Sequence, residues 1–191
     1  MTLLKNTSIL FRYFKAESPY IFAFLHHYYK FGATHFVGIV QNRMDKAALE
    51  KYFSGIGNDA NLIVLEMSND MGTNACLRSV DYKNIPNISE YILNVDCDEF
   101  ICCPGKAYFD YSMSEIINGK NRLNFKWIMS SSSSQKEPIT YGFHKGIGKD
   151  IARTSAIIEM ENVHNFKVSP AQNTPQNDMK NLPSLHLAHH W

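Results

Sequence analysis

Strand-like and helix-like patterns alternate through the first half of the chain. The strand-like runs are short and apolar, and the helix-like runs repeat their apolar residues at intervals of three and four. This alternation predicts an α/β fold with a Rossmann-type, mostly parallel sheet and helices on both faces. The predicted strands are residues 8–14, 34–41, 61–67 and 90–96, and the predicted helices are residues 18–32, 45–53 and about 73–83.

The second half of the chain is less regular. The serine-rich segment 130–138 is predicted to be a loop, because its residues cannot pack a core. A segment rich in Pro, Asn and Gln, residues 169–183, is predicted to be irregular as well. The remaining predictions are a helix over residues 110–118 and strands over residues 122–130 and 154–164.

Length and composition limit the classes of protein that fit. A chain of 191 residues suits one domain, and we expect residues 1–191 to form it, truncated at the C-terminal end where the chain stops at LHLAHHW. The chain is 45% hydrophobic with a formal net charge of +1, which excludes a disordered chain. Its basic residues form no stripe, so no nucleic acid partner is expected.

No stretch suits a signal peptide or a membrane-spanning helix. We therefore expect a cytoplasmic protein, and peripheral contact with the inner face of a membrane stays open. The four cysteines, three of them close to one acidic cluster, do not have the spacing of a disulfide scaffold or of a zinc site. They are expected to be reduced thiols.

An acidic cluster follows the strand predicted at residues 90–96, in the sequence YILNVDCDEFI. Asp96 and Asp98 lie two residues apart, so in an extended segment their side chains point the same way. Two close carboxylates repel each other unless a positive charge lies between them, and hard oxygen ligands select Mg²⁺ or Mn²⁺. Such ions often bridge to phosphates. The spacing predicts a metal and diphosphate site, although D-x-D also occurs at solvated strand ends.

Three segments together resemble one known family. VDCDEFI (residues 95–101) is similar to the D-x-D-E-F signature of the glycosyltransferase family 2-like proteins, a group related to the family 92 enzymes. Residues 15–45 resemble that family's opening, with a Glu before a helix, a Gly-x-x-His-Phe turn, and an Asn-containing turn with a later Asp. HLAHHW (residues 186–191) resembles its late histidine motif.

The resemblance implies a GT-A-like enzyme. It would transfer a sugar from a nucleotide-diphosphate donor to a glycan or another hydroxyl acceptor, in polysaccharide or glycoconjugate synthesis, with Mn²⁺ or Mg²⁺ on the diphosphate. The implied metal ligands are Asp96, Asp98 and His189. The residues implied to bind the donor nucleotide are Glu17, Asn42, Asp45 and Asp96.

Three residues are candidates for a catalytic role. Glu99 matches the acid of the family motif, where it would orient the turn or touch the donor sugar. Glu161 and His164 are candidates by position alone, in the predicted strand 154–164, for the base that takes the acceptor's proton.

Two alternative functions stay open. The chain has Ala23-Phe24 where the family commonly carries Glu-Trp, and Tyr28 where it carries a histidine. These departures favour an inactive domain that binds a nucleotide sugar or a partner. Phosphatases of the haloacid dehalogenase type also place D-x-D after an apolar strand. However, they usually carry Thr or Val where this chain has Phe100.

Overall fold

A computed structural model describes residues 3–14, 16, 18–67, 73–102, 112–117, 119–131, 140–170 and 186–189. The first half alternates strands and helices, as predicted. Its elements are β1 (Thr7–Tyr13), α1 (Ser18–Lys30), β2 (His35–Val40), α2 (Arg43–Phe53), β3 (Asn61–Glu66), α3 (Thr73–Ser79) and β4 (Tyr91–Asp96). The helix predicted over about 73–83 is shorter than expected, because a separate 3-10 turn covers Tyr82–Asn84.

Helix α1 shows how local sequence signals define these elements. Pro19 occupies the first turn, where its missing N–H costs no hydrogen bond. The residue that follows the last turn, Gly32, has a φ of 95°, a backbone conformation that glycine adopts without strain. The buried side chains of α1 recur at helical spacing: Ile21, Phe24, Leu25 and Tyr28. Within the described residues, no helix combines the length and apolar character needed to cross a membrane.

The second half completes the sheet. Its elements are β5 (Glu99–Cys102), α4 (Met113–Ile117), β6 (Arg122–Ser131), β7 (Thr140–Arg153), β8 (Ile157–Met160), β9 (Phe166–Val168) and β10 (His186–His189). The described strands form an eight-stranded sheet in the order β3-β2-β1-β4-β7-β6-β10-β5, and β8 and β9 form a separate hairpin. Neighbours β3, β2, β1 and β4 are parallel, as are β6 and β10, whereas β7 is antiparallel to β4 and β6.

Two buried clusters show that helices cover both faces of this sheet. The first cluster packs α1, α2 and α4 against one face, with Phe24 and Ile117 among its fully buried residues. The second packs α3, the 3-10 turn and the β8–β9 hairpin against the other face, around Tyr82 and Phe166. The predicted fold class, an α/β sheet with helices on both faces, is confirmed.

One predicted strand is wrong. Residues 154–164 do not form a continuous strand: a 3-10 turn at Thr154–Ala156 precedes β8, and a turn follows it before β9 begins. Asn162 makes this turn, because its side-chain Oδ1 accepts hydrogen bonds from the backbone N–H groups of His164 and Asn165 at 2.8 and 3.1 Å. An asparagine side chain that bonds its own backbone competes with strand pairing.

Strand β7 was not predicted from the sequence. Gly148 allows a close approach between β7 and β6. A Cβ at this position would overlap the carbonyl oxygen of Phe125, and this backbone atom is fixed by strand pairing. Glycine is therefore required here by the packing of the two strands.

We expect Gly148→Ala to lower the free energy of unfolding by about 3 kcal/mol, since the strands must separate to admit the methyl group. Chemical denaturation measures this change. Gly55→Ala is the matched control, because its added Cβ would meet its nearest neighbour, Phe22, at an ordinary 3.5 Å. That control should change stability by less than about 1 kcal/mol. Equal effects of the two substitutions would contradict the close approach.

Candidate functional site

The sheet reverses its direction of growth between β1 and β4. From β1 the chain moves outward to β2 and β3, then returns to place β4 on the other side of β1. In open α/β sheets, ligands bind outside the carboxyl ends of the strands at such a switch point. Arg12 and Asp96 are register partners at these ends of β1 and β4. The acidic cluster of the sequence therefore lies where the fold favours a ligand site.

Both oxygens of the Asp96 carboxylate are held by cations. Oδ1 accepts a hydrogen bond from Arg12 Nη2 at 2.8 Å, and Oδ2 accepts one from Lys149 Nζ at 2.6 Å. Burial alone would raise the pKa of Asp96, but the charges of Lys149 and Arg12 outweigh it and hold the pKa below its usual range. Asp96 is thus ionised, and its charge is balanced within the protein.

Lys149 is fully buried and connects three parts of the site. Besides Asp96, its Nζ donates to the carbonyl oxygen of Val163 at 3.1 Å. It also lies 3.9 Å from Oε2 of Glu99, a distance for electrostatic attraction rather than a hydrogen bond. A buried ammonium group must find its partners inside the protein, and this one finds them at the ends of β4, β5 and the β8–β9 turn.

Glu99 is also fully buried. Its Oε2 accepts a hydrogen bond from the backbone N–H of Asp96 at 2.8 Å, which closes the turn of the D-x-D-E segment. Its Oε1 is buried without a hydrogen-bond partner among the described residues. Burial raises the pKa of Glu99 to about 8, with Lys149 opposing the rise and Asp96 adding to it. Glu99 therefore holds its proton at neutral pH.

His164 lies beside this cluster, in the turn between β8 and β9. Burial lowers the pKa of its imidazole, and the charge of Lys149 lowers it further, whereas Asp96 opposes the change. The backbone of β7 fixes the turn, because the N–H of Asp150 donates to the carbonyl oxygen of His164 at 3.1 Å. The half-buried His164 is therefore a neutral imidazole at pH 7, placed close to Asp96.

Asn94 ties the same turn to β4. Its Nδ2 donates to the carbonyl oxygen of Val163 at 2.9 Å, the oxygen that also accepts from Lys149. Glu161, the other candidate base, is exposed at the edge of the turn. Its backbone carbonyl accepts two hydrogen bonds from the guanidinium of Arg78, at 2.7 and 3.2 Å. Of the two candidates, His164 is the one surrounded by the charges of the cluster.

The predicted donor residues Asn42 and Asp45 follow the carboxyl end of β2. Asn42 is the N-cap of α2: its Oδ1 accepts from the backbone N–H groups of Met44 and Asp45, and its Nδ2 donates to Asp45 Oδ2 at 2.9 Å. Burial is the main cause of the raised pKa of Tyr13. Asp45 lies close enough for its charge to raise this pKa further. Donor binding by this pair stays a prediction, and Glu17 lies outside the described residues.

The candidate metal ligands fall into two groups. Asp96 does not fit a metal ligand in this arrangement, because both of its oxygens are engaged by cations. Asp98 is half-buried and precedes Glu99, whose register partner on β10 is His189. The fold thus brings the late histidine motif next to the D-x-D-E segment. Among the described residues, no three His, Cys, Asp or Glu residues converge as a metal-binding group, so the ligand role of Asp98 and His189 stays a prediction.

Two functional-site residues were missed by sequence reasoning. Arg12 is a lone charge within the apolar strand SILFRYF, and Lys149 follows the glycines of KGIGK. A single charge in a predicted central strand is a signal, since it must lie at a strand end or find a buried partner. The pairing of Arg12 and Lys149 with Asp96 depends on the order of the strands, which the sequence pattern alone does not fix.

Comparisons with known proteins find similarity in structure rather than in sequence. No protein-family model matches the chain, and no curated protein matches it. The crystal structure of HddC from Yersinia pseudotuberculosis aligns with 96% of this chain and 89% of its own, with a TM-score of 0.51 and 8% identity.

A second structure, of a protein from Bacillus anthracis assigned as a glucose-1-phosphate thymidylyltransferase and crystallised with a sucrose, aligns with 96% of this chain and 71% of its own. Its TM-score is 0.44, at 10% identity. At 8% identity, the likeness to HddC shows the fold alone. That fold is an α/β fold of the Rossmann-like kind.

Proposed function

We propose that this protein transfers a sugar from a nucleotide-diphosphate donor to a hydroxyl group of a glycan or another acceptor. The observation that carries the proposal is the position of the D-x-D-E segment, at the carboxyl end of β4 and at the switch point of the sheet. Ligands of open α/β sheets bind in this place. The resemblance of the D-x-D-E-F and late histidine segments to a glycosyltransferase family supports the same reaction.

The leaving group of this reaction is an anionic diphosphate, so the site must supply positive charge. Arg12 is the partly exposed cation of the cluster. Asp98 and His189 are the residues proposed to hold Mn²⁺ or Mg²⁺, because β10 lies beside β5 at the D-x-D-E segment. When bound, the ion would help to neutralise the leaving diphosphate. Asn42 and Asp45, at the carboxyl end of β2, are proposed to face the nucleotide.

His164 is the proposed base that takes the proton of the acceptor hydroxyl. A base must be unprotonated at the working pH, and burial together with Lys149 lowers the pKa of His164. Glu99 does not meet this condition near pH 7, since burial raises its pKa to about 8. Its proposed role is to hold the turn through the backbone N–H of Asp96. Glu161 is exposed and is the weaker candidate for the base.

Donor hydrolysis tests the proposed function. We expect the protein to release nucleoside diphosphate slowly from one member of a panel of nucleotide sugars in the presence of Mn²⁺. Anion-exchange chromatography measures this release. Asp98→Ala should reduce this release to its rate without Mn²⁺. Asp59→Ala is the matched control, because Asp59 is an exposed aspartate that precedes β3, at the opposite edge of the sheet; it should keep the wild-type rate.

The same assay separates the alternatives. Binding of a nucleotide sugar without hydrolysis, and without transfer to any acceptor, would identify a non-catalytic binding domain. Release of inorganic phosphate from simple phosphomonoesters would identify a phosphatase. Equal rates of donor hydrolysis for Asp98→Ala and Asp59→Ala would show that Asp98 does not belong to the site.

A further inference from the structure

We propose that the guanidinium of Arg12, held in place by Asp96, binds the donor diphosphate directly, and that this binding needs no divalent ion. The inference rests on the proposed function, since it concerns the same donor site. It assigns Asp96 as a positioning residue rather than a metal ligand. The metal predicted at Asp98 and His189 is then needed for turnover and not for binding.

The first support is the number of charges around Asp96. Two cations, Arg12 and Lys149, contact one carboxylate at 2.8 and 2.6 Å. The three groups together carry one excess positive charge. With two cations on its one carboxylate, Asp96 is suited to anchoring a group that meets an anion rather than to binding a further cation.

The second support is the different burial of the two cations. The Lys149 side chain is fully buried, whereas 21% of the Arg12 side chain is exposed. Lys149 therefore holds the second oxygen of Asp96 from inside the protein and cannot reach a ligand. Arg12 lies at the surface of the cluster and is the cation that a ligand can meet.

The third support is the hydrogen-bonding capacity of Arg12. A guanidinium carries five N–H donors in a planar fork that matches a phosphate. In the described part of the chain, its side chain makes one hydrogen bond, from Nη2 to Asp96 Oδ1. The other donors are available for phosphate oxygens, while the bond to Asp96 fixes the direction of the fork. The ring of Phe14 lies 6.0 Å from the guanidinium carbon and adds a contact on its face.

A divalent ion at Asp96 is disfavoured by the same contacts. It would have to displace Arg12 or Lys149 from a carboxylate oxygen, or lie beside two positive charges. Displacing Lys149 would leave a fully buried ammonium without its shortest contact, which is costly. Asp96 therefore serves the site best as the fixed anchor of Arg12.

Calorimetric titration with UDP, GDP and dTDP tests the inference. We expect one of them to bind, with a Kd that differs by less than about threefold between solutions with Mn²⁺ and solutions with EDTA. Arg12→Gln should weaken binding about tenfold or more in both solutions, because it removes charge-assisted hydrogen bonds. Arg12→Lys, which keeps the charge but not the fork, should fall between the two.

Arg153→Gln is the matched control. Arg153 is also a partly exposed arginine in an ion pair, 2.6 Å from Glu90, but it lies at the opposite end of β4; it should bind like wild type. Thermal denaturation of each variant establishes that it is folded.

Binding that weakens more than about tenfold in EDTA, or that survives Arg12→Gln unchanged, would overturn the inference while leaving the proposed function intact. Absence of binding to any of the three diphosphates in both solutions would overturn the proposed function as well.

Discussion

Lys149→Met is expected to lower the free energy of unfolding at pH 7 by about 2–3 kcal/mol, because Oδ2 of the Asp96 carboxylate loses its charged hydrogen-bond donor and only Arg12 remains paired with it. Lys149 is fully buried, and its loss removes the 2.6 Å contact to Asp96 and the 3.1 Å hydrogen bond to Val163. Methionine has a similar length and fills the space, so the change measures charge rather than volume. Urea denaturation followed by circular dichroism gives the difference.

Lys167→Met is the control for this substitution. Lys167 also forms an ion pair, 3.0 Å from Glu159, but 57% of its side chain is exposed. Exposed pairs contribute little, so the control should lose less than about 1 kcal/mol. If Lys149→Met were as stable as this control, Lys149 would not be the buried counter-ion of Asp96, and the charge balance argued for the donor site would fail with it.

The first half of the fold was predictable because each element carries its own signal. Strands β1 to β4 are apolar runs, and α1 has Pro19 at its start, Gly32 after its end and a buried face at helical spacing. These signals are local, so each one predicts its element without knowledge of the rest of the chain. Strand β7 lacks such a signal. Its glycines serve a close contact with β6, which is visible only once the strands are paired.

The candidate site was likewise predictable only in part. Asp96, Asp98 and Glu99 were recognisable because acids directly after a buried strand need a partner. The sequence suggested a metal as that partner, whereas in the structure Arg12 and Lys149 hold both oxygens of Asp96. These two residues are 84 and 53 positions away from it along the chain. Only the sheet order brings β1, β4 and β7 side by side, and no local pattern encodes that order.

His164 belongs to the site although the element predicted around it is wrong. The sequence predicts a strand over residues 154–164, and the structure has a turn at His164 instead. The turn is what brings its imidazole to the cluster, through hydrogen bonds from Asn94 and Lys149 to the preceding carbonyl oxygen of Val163. The structure does not bring Glu161, from the same predicted strand, into the cluster in this way.

Glu99→Gln is expected to make the protein more stable above neutral pH and to remove part of its pH dependence. In the folded protein, burial raises the pKa of Glu99 to about 8 from the usual 4.5. Between these two values the native state keeps a proton that the unfolded state has lost, so stability falls as the pH rises through this window. The contribution of Glu99 to this slope is at most about 1.4 kcal/mol per pH unit. Glutamine stays neutral and keeps the acceptor for the backbone N–H of Asp96.

The measurement is the difference in free energy of unfolding between Glu99→Gln and wild type, taken by urea denaturation from pH 5 to pH 8.5. Taking the difference removes the contributions of the other titrating groups, whose effects on the free energy of unfolding also change with pH. The pKa of His164 is lowered in the folded protein, so the contribution of His164 to stability increases as the pH rises to the pKa that it has in the unfolded chain. Asp96, whose pKa is also lowered, loses its contribution only at acid pH. The stability of Glu99→Gln relative to wild type should rise steadily across the window. Glu50→Gln, on the exposed surface of α2, is the control for the same substitution made outside the cluster. A flat difference for Glu99→Gln would mean that Glu99 is ionised beside Lys149.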